Sequence, residues 1–361
     1  MENKQYVAIG EEATRGTAES TTVGFVPVTA FALPTMEFDD KDRADFRGES
    51  TVLGETTKIR MSQKWSGSLE IPFFTHGGTV AGMVGTLLKH FFGKSASGQN
   101  AATGQYYHML YPVADPFATA NLGTKGLTLN MNFNESATVK NHAFKGGRVK
   151  GLTFNQETGA HLMMTVDMMG QTKTASGTAI ASPAFAGENL RCDYNNLTVY
   201  TGTITRTGTG PDFTQFAFGS AITLKPDKVS LTLENGMEDK LRLSGTDYPD
   251  KTNMGKYKAT LEMTIDLEDP TSGFSSVDEW ESWLAAVGTT NFFFLWDTGT
   301  QAGTGDNHGL YIDLPRMVRM GGEPSFDREK DSTITLKYEG QYSATAAYLV
   351  GIMLKNTATA L

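Results

Sequence analysis

The segment 127–134, LTLNMNFN, alternates apolar and polar side chains along its whole length. A period of two is that of a β-strand, whose successive side chains point to opposite faces of the sheet. The pattern predicts a half-buried strand with its apolar set in the core and four side chains in water: Thr128, Asn130, Asn132 and Asn134. Residues 259–267, ATLEMTIDL, repeat the pattern, and shorter versions occur at 162–166, 229–233 and 334–338.

The composition also favours strands. The chain has 361 residues, long enough for two domains, and abundant Thr with 39 Gly and 12 Pro favours an all-β fold rich in turns. Its net charge is −9, which argues against a dedicated nucleic-acid-binding protein, because such proteins gain affinity from Lys and Arg on phosphates. A protein that surrounds DNA without binding it is compatible with this charge.

Cysteine content and the first residues bear on the compartment. Cys192 is the only cysteine, so neither an intrachain disulfide nor a cysteine-based zinc site can form. The opening MENKQYVAIGEEATRG carries charges where a secretory signal needs an apolar core, and no apolar run approaches the roughly 18 residues of a membrane helix. We therefore expect a protein kept in a cytoplasm-like compartment, without membrane insertion.

Two segments predict helices. The first runs from about 79 to 92, ends at Gly93 and has an apolar stripe of Val80, Val84, Leu87, Leu88 and Phe91. The second begins with a capping box formed by Ser276 and Glu279 and has a stripe of Trp280, Trp283, Leu284 and Val287. Between the ordered elements, segments 93–105, 172–183 and 297–309 have the composition of flexible surface loops, and 172–183 is the best linker candidate.

The two halves share an ordered set of matches, which indicates an internal duplication. Glu37 and Glu234 have the same separation as Asp42 and Asp239, and as Arg43 and Lys240. Leu69-Glu70 matches Leu261-Glu262, and each half then continues through a helix to an alternating strand that ends in Gly-Gln, at Gly170-Gln171 and Gly340-Gln341. The sequence therefore predicts two copies of a β-rich module with one flanking helix each. Residues 189–220 have no evident partner and predict an extra hairpin.

No segment carries a motif specific for catalysis. Gly93-Lys94-Ser95 resembles the end of a phosphate-binding loop, but Leu88 stands where that motif needs its first glycine. Asp306-Asn307-His308-Gly309 lacks the glutamate that completes a calcium loop, and Cys192 has no neighbouring histidine and predicts a small packed residue. The histidines are scattered, without metal-ligand spacing: His76, His90, His108, His142, His161 and His308.

Two further groups favour structural roles. The acidic pairs Asp39-Asp40 and Glu238-Asp239 recur at the same place in both halves, which favours a solvated loop or a subunit contact over a duplicated active site. Met163-Met164 and Met168-Met169 lie in or beside a strand and favour packing. We predict that the chain is not an enzyme and has no catalytic, cofactor-binding or metal-binding residues, and no cofactor.

Several segments resemble the tail tube proteins of tailed bacteriophages, the major tail proteins of long non-contractile tails. These segments are YVAIGEEATRGTA (6–18), NLTVYTG (196–202), VSLTLENG (229–236) and KATLEMTIDLED (258–269), the last followed by a short helix and a closing strand. The resemblance extends from about Val7 to Gln341. It implies a β-sandwich or barrel core with one flanking helix, in stacked rings whose inner strands join into a continuous β-lined channel.

The resemblance also implies partners and a location. Rings of this family are commonly hexameric, so a duplicated chain implies trimers with six similar modules. The implied partners are further copies of the chain, the tape-measure protein, and tail-terminator and baseplate proteins, while double-stranded DNA passes through the lumen without specific binding. The implied location is the virion tail, assembled in the host cytoplasm. The alternatives are another virion β-protein, such as a decoration or baseplate protein, a β-sandwich adhesin or carbohydrate-binding module, and a hydrolase on a β scaffold.

These expectations divide the chain into five parts. An N-terminal assembly arm (1–24) precedes the first tail-tube module (25–172), a linker (173–188), the second module (189–342, with an inserted hairpin at about 189–220) and a C-terminal segment (343–361). Because the arm and the long loops are polar, contain glycine and can bury little of their own surface, we expect neighbouring subunits to order them. Open strand edges are an aggregation hazard in a monomer, and joining edges between modules removes that hazard.

Overall fold

The computed structural model describes residues 5–42, 58–75, 83–99, 104–135, 138–174, 177–180, 182–209, 212–304, 306–326 and 331–361. The strands of the first half (5–180) are β1 (Tyr6–Glu12), β2 (Val23–Val26), β3 (Thr35–Asp42), β4 (Lys58–Pro72), β5 (Ala96–Gln99), β6 (Tyr106–Leu110), β7 (Gly126–Glu135), β8 (Thr138–Glu157), β9 (Met163–Gly170), β10 (Thr172–Lys173) and β11 (Gly177–Thr178). Helix α1 (Met83–Phe92) lies between β4 and β5.

The second half (182–361) follows the same plan. Its strands are β12 (Leu197–Thr209), β13 (Asp212–Leu224), β14 (Lys228–Glu234), β15 (Glu238–Lys240), β16 (Lys251–Asn253), β17 (Lys258–Asp266), β18 (Thr289–Gln301), β19 (Asn307–Gly321), β20 (Pro324–Ser325), β21 (Thr333–Gly340) and β22 (Gly351–Asn356). Helix α2 (Ser276–Ala285) lies between β17 and β18. The mainly-β fold expected from the sequence is confirmed, with large antiparallel sheets of the sandwich type.

Strands of both halves surround a continuous apolar core. Strand β17 shows how the alternation builds it: Leu261 and Met263 are buried, whereas Glu262 between them points outward. Large aromatic side chains from both halves, among them Trp65 and Trp296, are almost fully buried in the same cluster.

The two halves pair their strands in the same order. In the first half the order is β2–β1–β7–β8–β9–β4–β3. In the second half it is β13–β12–β18–β19–β21–β17–β14. In the first half, β10 and β11 follow β9 in the chain and lie along β8. In the second half, β22 follows β21 and lies along β19.

The register of pairing is also the same. Between β8 and β9 the ladder passes from Val149–Met168 to Gly151–Asp167 and skips one residue on β8, and between β19 and β21 it passes from Arg319–Tyr338 to Gly321–Lys337 in the same way. Such β-bulges change the local direction of a strand and are positioned specifically. A second shared irregularity lies between β7 and β8, from Leu127–Gly147 to Leu129–Phe144, and between β18 and β19, from Thr290–Met317 to Phe292–Leu314. We call two residues corresponding when they have the same place in this order and register.

This register agrees with the match of Glu37 to Glu234 and changes the match of Leu69 to Leu261. Glu37 lies opposite Lys64, as Glu234 lies opposite Lys258, so the two glutamates correspond. Ser66 lies between Thr35 and Met169, as Thr260 lies between Thr232 and Glu339. Ser66 therefore corresponds to Thr260, and three residues further along each strand Leu69 corresponds to Met263. The sequence match of Leu69 to Leu261 is out of register by two residues.

The segment predicted as an N-terminal arm has a different place in the structure. Strand β1 pairs with β2 on one side and β7 on the other, and Val7 and Ile9 are completely buried. The expected boundary after residue 24 cuts through β2. Residues 5–24 are therefore ordered within their own chain rather than by neighbouring subunits, and their removal is expected to unfold the first half.

Four other segments also belong to the sheets. The hairpin predicted within 189–220 exists as β12–β13, but it corresponds to β1–β2 and is not an insertion. In the predicted loop and linker around 172–188, residues 172–173 and 177–178 form β10 and β11 along β8, and in the predicted loop 297–309, residues 297–301 and 307–309 belong to β18 and β19. The C-terminal segment supplies β22, which joins β19 to β6 of the first half.

The polar side of β7 is not in water as predicted. Thr128, Asn130 and Asn132 are completely buried because the chain after β1 and the chain after β11 cover them. Thr128 Oγ1 donates to Glu12 Oε1 (2.7 Å), Asn130 Nδ2 donates to the Glu19 carbonyl (3.0 Å), and Asn132 Oδ1 accepts from the Ile180 N–H (3.0 Å). The polar set is thus satisfied inside the protein.

Both predicted helices form, with differences at their ends. Residues 79–82 of the first lie outside the described residues, and α1 ends at Gly93, whose φ of +90° suits glycine. The N-cap of α2 is Ser275, whose Oγ accepts from the Asp278 N–H (2.9 Å), one residue before the predicted cap. Ser276 instead donates from Oγ to the Asp266 carbonyl (2.8 Å) and fixes the helix to the end of β17.

Candidate functional site

The residues considered for chemistry are dispersed and mostly engaged in packing. Cys192 is buried, which raises the pKa of its thiol, and Asp306 pairs with Lys355 at 2.8 Å. His161 contacts Asp193 at 2.6 Å, and His142 stacks on Phe133 with ring centroids 4.5 Å apart. His76 lies outside the described residues. Within the ranges that the structure describes, no group of three or more His, Cys, Asp or Glu side chains could hold a metal ion.

His90 occupies a buried position in α1. Its Nε2 lies 3.1 Å from Glu11 Oε1, and burial lowers the pKa of His90 to about 4. Burial alone would raise the pKa of Glu11, but hydrogen bonds from His90 and Lys125 outweigh it and hold that pKa well below its ordinary value. This network fixes α1 against β1.

A continuous outward surface provides the most extended polar feature. Strands β3, β4, β9, β8, β14, β17 and β21 are neighbours in that order, and alternate residues point away from the core. We call this outward side the polar face. Its side chains include Glu37, Lys64, Ser66, Ser68, Glu70, Thr153, Asn155, Glu157, Thr165, Asp167, Lys228, Ser230, Thr232, Glu234, Lys258, Thr260, Glu262, Thr264, Asp266, Thr333, Thr335, Lys337 and Glu339.

The polar face is acidic and rich in hydroxyl groups. The set above contains eight carboxylates and four lysines. Lysines lie beside carboxylates across the strands, as in Lys64–Glu37 and Lys337–Glu262, each with N–O distances of 3.0 Å. Because these pairs are about half exposed, each stabilises the fold by less than about 1 kcal/mol. Their main effect is to neutralise the lysines and leave an excess of negative charge.

The two halves are joined edge to edge within this sheet. Strand β14 pairs along β8 from Lys228–Glu157 to Glu234–Gly151, so the sheet of the first half continues into that of the second. Asn235 follows the joint, is completely buried, and donates from Nδ2 to the carbonyls of Val149 (2.9 Å) and Phe91 (3.2 Å). The second half thereby satisfies a carbonyl at the end of α1.

A polar contact strengthens the joint on one side. Arg15 donates from Nη2 to both carboxylate oxygens of Asp239 (2.9 and 2.8 Å), and its Nη1 donates to Thr252 Oγ1 (2.7 Å). Arg148 lies beside this pair, and burial lowers its pKa to about 9. The acidic pair Glu238-Asp239 thus contributes to a contact between halves, whereas Asp40 of the first pair contacts Arg60 on an exposed hairpin.

The sheet ends in two edges. Among the described residues, β3 pairs on one side only, with β4, and segment 321–325 pairs on one side only, with β21. Large apolar side chains are exposed at both edges: Leu33 and Phe38 at β3, and Met320 and Phe326 at the other. Exposed apolar groups at strand edges indicate contact surfaces.

Within the described residues, no helix is long and apolar enough to cross a membrane.

Comparison with known proteins agrees with the architecture described above. No curated protein is significantly similar to the chain. A family model described as phage tail tube protein matches residues 2–341, nearly the whole chain. The chain therefore belongs to the phage tail tube protein family and is a structural component of the virion tail.

Proposed function

We propose that the chain consists of two tail-tube modules in tandem and that three copies form a ring with pseudo-sixfold symmetry. The observation that carries the proposal is the repeated strand order, with the same two ladder irregularities in each half. The β8–β14 joint supports it further, because it already places two modules edge to edge in one chain. Three such chains supply the six modules that the family resemblance implies, and closed symmetry leaves no unpaired edge.

Stacked rings would form the tube through which the phage genome passes. We assign the polar face to the lumen, because its hydroxyl groups and excess carboxylates offer DNA no array of cations to bind. Repulsion between this face and the phosphates is screened within about 8 Å at physiological salt, so DNA is excluded from close contact but can slide. The role is structural, without catalysis or cofactor.

The remaining partners follow from the same role. A tube of defined length requires contact with a tape-measure protein inside it and with tail-terminator and baseplate proteins at its ends. Assembly would take place in the host cytoplasm, before the tail joins the virion. These assignments rest on the family and on the tube architecture.

Electron microscopy of the purified chain tests the ring. We expect tubes of uniform width whose end-on views have threefold symmetry with six similar lobes. A ring of six chains, or particles without rings, would contradict the tandem-module proposal.

DNA binding tests the lumen assignment. We expect assembled tubes to bind fluorescent duplex DNA weakly at moderate salt. The double variant Glu70→Lys with Asp266→Lys, on the polar face, should increase DNA retention, whereas the control Glu188→Lys, exposed outside that face, should not. Equal retention in both variants would mean that the polar face does not line the channel.

A further inference from the structure

Each of the two strands in the β8–β14 joint has a corresponding segment in the other half of the chain. These two corresponding segments do not pair with each other. Strand β3 corresponds to β14, and segment 321–325 corresponds to the part of β8 that β14 pairs with. These segments lie at opposite ends of the strand order, so one chain cannot bring them together in that order. A second copy of the chain can supply the missing partner at each end.

We propose that the ring closes by antiparallel pairing of β3 in one copy with segment 320–323 of the next, in the register that β14 uses on β8. This inference rests on the proposed function, since it assumes a ring of copies. Inside one chain, Glu234 lies opposite Gly151 and Thr232 lies opposite Thr153. The corresponding contacts between copies are Glu37 with Gly321 and Thr35 with Glu323.

The backbone of the joint determines which groups face the open edge. The Asn235 N–H donates to the Lys150 carbonyl (3.2 Å), so Asn235 and, two residues earlier, Leu233 direct their backbone groups toward β8. By correspondence, Phe38 and Met36 direct theirs toward the open edge of β3. Met36 would then exchange hydrogen bonds with Gly322 of the next copy.

Both edges have features that suit a short, defined ladder. The Gly322 carbonyl, without a strand partner among the described residues, accepts from Arg319 Nη2 at 3.1 Å, a bond that the incoming N–H of Met36 would replace. Beyond that pair, Pro34 would face Pro324. Neither proline has an N–H to donate, so the ladder ends there. The proposed pairing is thus limited to four residues of β3, 35–38.

Two exposed apolar side chains lie opposite each other in this register. The register places Phe38 opposite Met320, and their side chains are 46% and 59% exposed in the single chain. The corresponding pair inside the chain is Asn235 and Lys150, where Asn235 is completely buried. By correspondence, pairing between copies would bury Phe38 as Asn235 is buried, which is expected for a subunit contact, whereas Met320 would stay accessible as Lys150 does beside Asn235.

Disulfide formation in assembled tubes tests the register. The double variant Thr35→Cys with Glu323→Cys should give covalent trimers on a non-reducing gel, with native Cys192 retained because it is buried. A within-chain control is Thr153→Cys with Thr232→Cys, whose hydroxyl oxygens are 3.5 Å apart and which should lose its free thiols without linking copies. A register control is Thr35→Cys with Ser325→Cys, two residues out of register, which should give no covalent trimer.

The outcomes separate the pairing from the ring itself. Threefold tubes without covalent trimers, or with trimers from the out-of-register pair, would overturn the pairing while the proposed function stands. Failure of the unmodified chain to form rings would overturn both.

A second pair of variants does not depend on cysteines. Met36→Pro removes one backbone N–H from the open edge of β3. Met36→Ala truncates the same side chain but keeps that N–H. We expect both variants to fold with similar melting temperatures, and only Met36→Ala to form rings. Rings formed by Met36→Pro would overturn the pairing.

Discussion

Helices α1 and α2 occupy the same place in the two halves, between corresponding strands, yet their surroundings differ. In α1, residues from Met83 to Phe92 are buried apart from Lys89, and the carbonyl of Phe92 also accepts from Tyr257 Oη at 3.1 Å. In α2, Ser276 alone is buried, and Leu284 is 61% exposed. The difference follows from position: the second half covers α1, and no described part of the same chain covers α2 in that way. A neighbouring copy in a ring would give α2 the environment that α1 already has.

The largest expected effect is on core packing of the helices. Leu87→Ala should lower the free energy of unfolding by about 2–5 kcal/mol, because Leu87 is completely buried and its truncation leaves a cavity. Leu284→Ala, the matched exposed leucine, should change it by less than about 0.5 kcal/mol in the unassembled chain. Urea denaturation measures both, and equal losses would mean that α2 is also packed in solution.

The second-largest expected effect is a pH dependence of the free energy of unfolding. It should arise from His90 in α1 and have no counterpart in α2. The pKa of His90 is about 4 in the folded chain and about 6.5 when unfolded, so the unfolded chain binds more protons between these values. The contribution of neutral His90 to the free energy of unfolding is therefore fully present above pH 6.5. It falls by about 3 kcal/mol as the pH is lowered through 4. Glu11, whose pKa is lowered, adds a further loss below about pH 4.

Replacement of the imidazole tests this assignment. His90→Gln should flatten the stability profile between pH 6.5 and 4, measured by denaturation at each pH. An unchanged profile in His90→Gln would show that another group is responsible for the acid sensitivity.

A smaller effect should distinguish substitutions at the internal β8–β14 joint from substitutions at the open edge of β3. Asn235→Ala should lower the free energy of unfolding by about 1–3 kcal/mol, because it removes the buried hydrogen bonds to the Val149 and Phe91 carbonyls, of which Phe91 keeps a second donor, Tyr257 Oη (3.3 Å). Phe38→Ala, at the corresponding edge position, should change the stability of the single chain by less than about 1 kcal/mol, because its ring is half exposed and contacts the Arg60 guanidinium at 3.8 Å, and it should weaken ring formation. Denaturation and electron microscopy of both variants would measure the contrast. A stable Asn235→Ala variant would contradict it.

The smallest effect concerns two corresponding pairs on the polar face. Ser68 lies opposite Asp167 in the first half, and Glu262 lies opposite Lys337 in the second. Lys337→Ala should change the free energy of unfolding by less than about 1 kcal/mol, because the ion pair is half exposed and screened by salt. A double-mutant cycle with Glu262→Ala measures the coupling, and a value above 2 kcal/mol would imply a pair withdrawn from water.

Local patterns in the sequence were sufficient to predict most of the individual elements. Alternation identified β7, β9, β17 and β21, because one side of each strand packs on the core. Gly93 correctly marked the end of α1, since a residue with positive φ favours glycine. The predicted apolar stripe of α2 was misleading, because Trp280 packs partly against the core whereas Leu284 does not.

The candidate site was harder to predict because it depends on pairing between distant segments. The outward residues of β14 and β17 are evident from alternation, but their union with β8 into one polar face is not. The alternation of Leu152, Phe154 and Gln156 could have indicated the inner half of β8. Nothing in that stretch specifies β14 as its neighbour, because strands with similar patterns can pair in several ways.

The sequence by itself determined the mainly-β class, the presence of two helices and the suspicion of a repeat, since all three follow from local periodicity and order along the chain. Only the tertiary structure decided that residues 5–24 and 343–361 belong to the sheets, and that Leu69 corresponds to Met263. The physical reason is that a strand's backbone groups need partners that its own sequence does not specify. Register and neighbour are chosen when the whole core is packed, and burial of Thr128 and Asn130 under distant segments is a consequence of that choice.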